Sequence, residues 1–96
     1  MYNLKKDTII LFYANWCGYC KTFMPIWKEL KTKINTEEYN IIEMESENLF
    51  IQKIQMLRGY PSIYYISNDK NITIEYNDDR TIESLLNFLE ENKKLN

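Results

Sequence analysis

Histidine is absent from the 96 residues, and with it the side chain that ordinarily moves protons near neutral pH and most often ligates metals. Only two cysteines are present, so a tetrahedral site built from Cys and His alone cannot be completed within one chain, and no metal is expected. Glycine and proline number two each, and no linker or internal repeat interrupts the chain. No apolar run approaches the length of a membrane span, and the polar start Met1–Asp7 lacks the apolar stretch of a signal peptide. A soluble, cytoplasmic protein without membrane contact is the expectation. Charge of one sign is also lacking. The net charge is −2, and Lys5, Lys6, Lys28, Lys31, Lys33, Lys93 and Lys94 alternate with acids such as Glu29 and Glu91, which describes solvated helix faces and not a nucleic-acid-binding stripe. Valine is missing and alanine occurs once, a nucleotide-composition bias of a cellular or viral genome that carries no functional information.

What is present suffices for one core. Hydrophobic residues make up 45% and aromatic residues 15% of the chain, enough for residues 1–96 to form a single small domain. The continuous apolar run Thr8–Ala14 predicts a strand covered on both faces. Phe23, Ile26, Trp27, Leu30 and Ile34 recur at three and four, predicting a helix from Cys20 that Pro25 bends near Lys21–Pro25 without ending it. Asn40–Glu45 reads as a second strand. Asn48–Leu57 reads as a second helix burying Phe50 or Ile51, Ile54 and Leu57, with Gly59 at the reversal after it. Ser62–Ile66 and Asn71–Tyr76 flank the polar Ser67–Lys70 and form a hairpin. Thr81 caps a last helix by accepting from Glu83 or Ser84, and Ile82, Leu85, Leu86 and Leu89 give its apolar face. The predicted class is α/β, in the order β-α-β-α-β-β-α, a mixed four-stranded sheet with helices on both faces.

Chemistry concentrates at Trp16-Cys17-Gly18-Tyr19-Cys20, between the first strand and the first helix. A helix N-terminus favours a thiolate over a thiol, so Cys17 is the candidate nucleophile. Cys20, one turn later, is placed to displace a mixed disulfide formed at Cys17 and is the candidate resolving thiol. A pair so closely spaced in a reducing compartment reads as a working couple and not as a staple.

Phe12-Tyr13-Ala14-Asn15-Trp16-Cys17-Gly18-Tyr19-Cys20-Lys21, Pro25, and Leu57-Arg58-Gly59-Tyr60-Pro61-Ser62 together resemble the thioredoxin family over Thr8–Leu89. The resemblance implies a minimal thioredoxin fold whose N-terminal strand and helix are shortened or absent. It implies a cis Tyr60–Pro61 bond facing the cysteines, a Tyr60 backbone that pairs with extended substrate, and a docking rim of Trp16, Tyr19 and Tyr60. Two departures stand out. Leu11 occupies the position of the family's buried acid, which makes Glu43 a candidate acceptor for the Cys20 proton. Gly18-Tyr19 matches neither Gly-Pro of thioredoxins nor Gly-His of disulfide isomerases, so the direction of electron flow stays open.

The implied function is a thiol–disulfide oxidoreductase acting on disulfide-containing proteins, served by a reductase or oxidase partner, expected as a monomer, with no cofactor beyond the Cys17–Cys20 disulfide. Two alternatives stand beside it. One is a glutaredoxin-like, glutathione-dependent oxidoreductase or iron–sulfur carrier, against which Trp16, Pro25 and the Asn77–Arg80 turn argue. The other is a non-enzymatic peptide-binding module.

Overall fold

In the computed structural model, residues 5–48, 57, 59–70 and 72–94 are described. The chain runs β1 (Asp7–Tyr13), α1 (Gly18–Lys33), β2 (Tyr39–Glu45), β3 (Ser62–Ile66), β4 (Thr73–Glu75) and α2 (Ile82–Lys94). The helix expected at Asn48–Leu57 falls almost wholly on residues outside the described ones. The strands form one mixed sheet in the order β2-β1-β3-β4. β1 pairs in parallel with β2 and antiparallel with β3, and β3 pairs antiparallel with β4.

The central place of β1 explains its unbroken apolar run. Alternate side chains of a strand point to opposite faces, and here both faces are covered. Ile9 and Leu11 join Phe23, Trp27 and Leu30 of α1, Ile63 and Tyr65 of β3, and Leu85 and Leu89 of α2 in the main core. Ile10 and Phe12 turn the other way and pack with Tyr64, Ile42, Met44, Leu57 and Tyr60. Both described helices therefore lie on the same face of the sheet.

α1 continues through Pro25, as the periodicity predicts. Its buried residues, Cys20, Phe23, Trp27 and Leu30, recur at intervals of three and four, so one stripe meets the sheet. α2 begins where Thr81 Oγ1 accepts from the backbone N–H of Ser84 at 3.2 Å, the expected cap. The hairpin between β3 and β4 is fastened from outside. The buried Asp7 carboxylate accepts from the Tyr65 hydroxyl and from Asn68 N at 2.8 Å, tying the start of β1 to the turn. β4 is shorter than the Asn71–Tyr76 run suggests; Tyr76 N reaches instead to Ile63 O at 2.8 Å, which sets the following loop beside the start of β3.

Candidate active site

Four residues, Ala14–Cys17, separate the end of β1 from the first turn of α1. Cys17 N donates to Ala14 O at 3.1 Å, so the chain turns sharply and Cys17 becomes the N-cap of α1. Its backbone is extended (φ −88°, ψ 119°), and its sulfur accepts from Cys20 N at 3.3 Å. A serine or aspartate oxygen makes the same bond at ordinary N-caps. At this one a thiol takes that place, and the unpaired N–H groups of the first turn face a sulfur that can carry charge.

The two thiols are made unequal by their surroundings. The hydrogen bond from the Cys20 side chain lowers the pKa of Cys17 most, and the backbone N–H groups of Cys20 and Tyr19 and the charge of Arg80 act in the same direction. Together they outweigh the opposing effect of burial and hold the Cys17 thiol below its ordinary range. Cys20 is pushed up to about 11, first by burial and then by the hydrogen bond that it gives to Cys17. Cys17 is therefore the sulfur that ionises first. Both cysteines are free thiols.

Around this pair the structure brings together most of the residues singled out from the sequence. The Tyr60–Pro61 bond is cis, and Tyr60 O lies 3.5 Å from Cys17 Sγ. Cys17, Cys20 and Ala14 pack together with Tyr13 and Tyr60 against them. Trp16 is 72% exposed, and its ring meets that of Tyr60 edge to face at a centroid distance of 6.0 Å. Tyr19, between the cysteines, is 74% exposed. Two large aromatic surfaces thus stand open beside Cys17, one of them braced by Tyr60. Pro61 is buried. No group of three or more His, Cys, Asp or Glu side chains among the described residues is arranged to hold a metal ion, and none of the helices there is long and apolar enough to cross a membrane.

Glu43 pairs with Leu11 in the β1–β2 register, and its carboxylate is already engaged. Oε1 accepts from Trp27 Nε1 at 2.7 Å and from Lys31 Nζ at 2.6 Å. Burial raises its pKa, and the bonds from Lys31 and Trp27 more than cancel that, leaving the carboxyl below its ordinary range. A carboxylate stabilised as an anion is a poor acceptor for a proton from a thiol near 11, and the charges acting on Cys20 are those of Cys17 and Arg80. Glu43→Gln is therefore expected to leave resolution by Cys20 unchanged and to alter stability instead. Because the folded pKa lies below the unfolded one, the contribution of Glu43 is fully present above the ordinary carboxylate range and is lost as pH falls through the folded value. The stability difference between wild type and Glu43→Gln, about 1 kcal/mol at neutral pH, should shrink on acidification from about pH 6 to about pH 3. Urea midpoints measured across that range check it.

Arg80 was not singled out from the sequence. It is exposed in the loop before α2, and no motif marks it; only the docking of that loop beside the start of β3 brings its charge to bear on both sulfurs.

Comparison with known proteins agrees with this fold. The family model described as Thioredoxin matches residues 1–91. A protein disulfide-isomerase of Drosophila melanogaster is 34% identical over 88 residues, covering 91% of this chain and 18% of the relative. One from Saccharomyces cerevisiae is 34% identical over 91 residues, covering 92% and 17%. The chain thus spans less than a fifth of the length of the curated relatives it matches. Among solved structures, the J-Trx1 fragment of ERdj5 superposes with a TM-score of 0.82 at 22% identity, over 94% of this chain and 44% of that one. The first thioredoxin domain of mouse protein disulfide-isomerase A4 gives 0.72 at 26% identity, over 91% and 63%.

Proposed function

Since the chain belongs to the thioredoxin family, we propose that it catalyses thiol–disulfide exchange with protein substrates, Cys17 attacking and Cys20 resolving. The inequality of the two thiols carries this reading: a sulfur held below its ordinary range at a helix N-terminus, next to one pushed up to about 11. In the reducing direction the Cys17 thiolate attacks one sulfur of a substrate disulfide, that S–S bond breaks, and the released substrate thiolate takes up a proton. Cys20 then gives up its proton and attacks Cys17 Sγ. The Cys17–Cys20 disulfide forms, the mixed disulfide breaks, and the substrate leaves with two electrons gained and the domain with two lost. The reverse sequence oxidises a dithiol, and the cycle requires no bound cofactor.

Trp16, Tyr19 and Tyr60 support a docking role in the same reading. Two exposed rings and a half-buried one flank the nucleophile, and Tyr60 O offers a backbone acceptor 3.5 Å from its sulfur. An extended segment laid along Tyr60–Pro61 would bring its disulfide to Cys17 while its neighbours cover the rings. The names of the matched relatives, protein disulfide-isomerases, favour rearrangement of protein disulfides over simple reduction, and they lend no support to the cytoplasmic placement expected from the sequence. A couple near about −270 mV would suit a reducing compartment, and one near about −180 mV an oxidising one.

The test is turnover. With a disulfide-linked, fluorescence-quenched peptide in glutathione buffer, the chain is expected to accelerate exchange with saturation in peptide. A rate equal to that of glutathione alone would refute the proposal.

A further inference from the structure

Glu45 is the last residue of β2 and faces Tyr13, the last residue of β1, across the parallel ladder. Just beyond Tyr13 the chain makes the four-residue passage to α1. The Glu45 side chain reaches into that passage: Oε2 accepts from Asn15 N at 3.2 Å. The same carboxylate accepts from Ser46 Oγ at 2.8 Å and from Glu47 N at 2.8 Å, and Glu45 O accepts from Asn48 N at 2.9 Å. One carboxylate therefore fastens the loop that carries the nucleophile to the turn that ends β2.

Ala14 is buried against the cysteines and Trp16 meets Tyr60, and the Glu45 bond adds a hold on the Asn15 backbone between them. Asn15 and Trp16 are exposed, so water would compete for the Asn15 N–H. The bonds from Glu47 N, Ser46 and Asn15 N also keep the carboxyl below its ordinary range. Asn15 lies next to Trp16, whose ring stands against Tyr60, and two residues before Cys17, whose sulfur must sit at the first turn of α1 to accept from Cys20 N.

We infer that Glu45 is a positioning residue for thiol exchange, its carboxylate fixing the Ala14–Trp16 loop and through it the seat of the Cys17 sulfur at the start of α1. This rests on the thiol-exchange reading above. The inference has a distinctive sign. As a bare negative charge, Glu45 would disfavour the Cys17 thiolate, and its removal would speed reaction at Cys17. As a tether, it favours the thiolate, and loss of reach slows reaction whatever the charge.

Two variants separate the possibilities. Glu45→Asp keeps the charge and loses one methylene of reach; Glu45→Gln keeps the reach and loses the charge. The readout is the pH profile of the rate at which iodoacetamide alkylates Cys17, followed by mass spectrometry. The profile reports the titration of that sulfur, which a loss of stability alone would not move. Glu45→Asp is expected to slow alkylation near pH 6.5 by about three- to tenfold, the scale of one net hydrogen bond, and to move the profile to higher pH. Glu45→Gln is expected to recover at least half of that loss. A Glu45→Asp profile that matches wild type overturns the inference, as does a Glu45→Gln variant slowed as much as Glu45→Asp. Failure of the thiol-exchange reading would look different: wild type would show the alkylation profile and yet not accelerate peptide exchange.

Discussion

A Cys20→Ser variant is expected to hold its substrates covalently, while Cys17→Ser reduces exchange to the rate of glutathione alone. The asymmetry follows from the site. Cys17 accepts hydrogen bonds from the first turn of α1 and is held below its ordinary range, so it supplies the attacking thiolate. Cys20 is 2% exposed and is pushed up to about 11, which keeps it a thiol at neutral pH. Cys20 therefore contributes little to the first attack and becomes necessary at the second, when it displaces substrate from Cys17. Removing it stops the cycle at the mixed disulfide. The measurement is mass spectrometry of the variant after mixing with a disulfide-bonded protein, without reductant. An adduct that breaks with dithiothreitol is expected for Cys20→Ser, free protein for Cys17→Ser. Adducts in the reverse pattern would exchange the roles of the two sulfurs.

The largest effect on stability is expected at Trp27. Its side chain is fully buried, lies 6.4 Å from the Phe23 ring between centroids, and belongs to the cluster that joins α1 to the sheet and to α2. Its Nε1 donates to Glu43 at 2.7 Å. Truncation to alanine opens a cavity of ring size and strands part of the carboxylate's hydrogen bonding, with an expected cost of about 3–5 kcal/mol. Against a total of about 5–15 kcal/mol for a domain of this kind, much of the margin is lost. Trp27→Phe keeps a six-membered ring in the core and loses the N–H donor with the smaller part of the indole, so about 1–3 kcal/mol is expected there. Urea unfolding followed by circular dichroism distinguishes them. Equal midpoints for the two variants would mean that the hydrogen bond, and not the packing, dominates at this position.

The elements that one local period encodes were legible in the sequence. β1 declared itself because both of its faces are buried, and α1 because Phe23, Trp27 and Leu30 share a stripe. The cap of α2 was written in Thr81 and the residues after it. The candidate site was legible for a similar reason: Trp16 through Cys20, Pro25 and Tyr60–Pro61 form short strings whose spacing survives without knowledge of the fold. What local patterns do not carry is which distant side chains meet. Glu43 was a candidate proton acceptor because the family's acid is missing at Leu11, yet its partners Trp27 and Lys31 lie one turn apart on a helix, and no strand pattern predicts that the carboxylate is taken by them. The charge of Arg80 acts on the sulfurs from the loop before α2, and Glu45 meets the loop before them across 30 residues of chain, through packing that no local pattern encodes.

The property on which thiol exchange depends is the behaviour of Cys17 and Cys20 as one two-electron couple. Equilibrating the protein across graded ratios of reduced and oxidised glutathione, quenching with an alkylating agent and weighing the products measures it. A single reversible transition is predicted, in which both thiols disappear together and the product is two hydrogens lighter, with a midpoint between about −270 and −180 mV. Two cysteines that take up glutathione separately, or that stay reduced across the whole series, would contradict it.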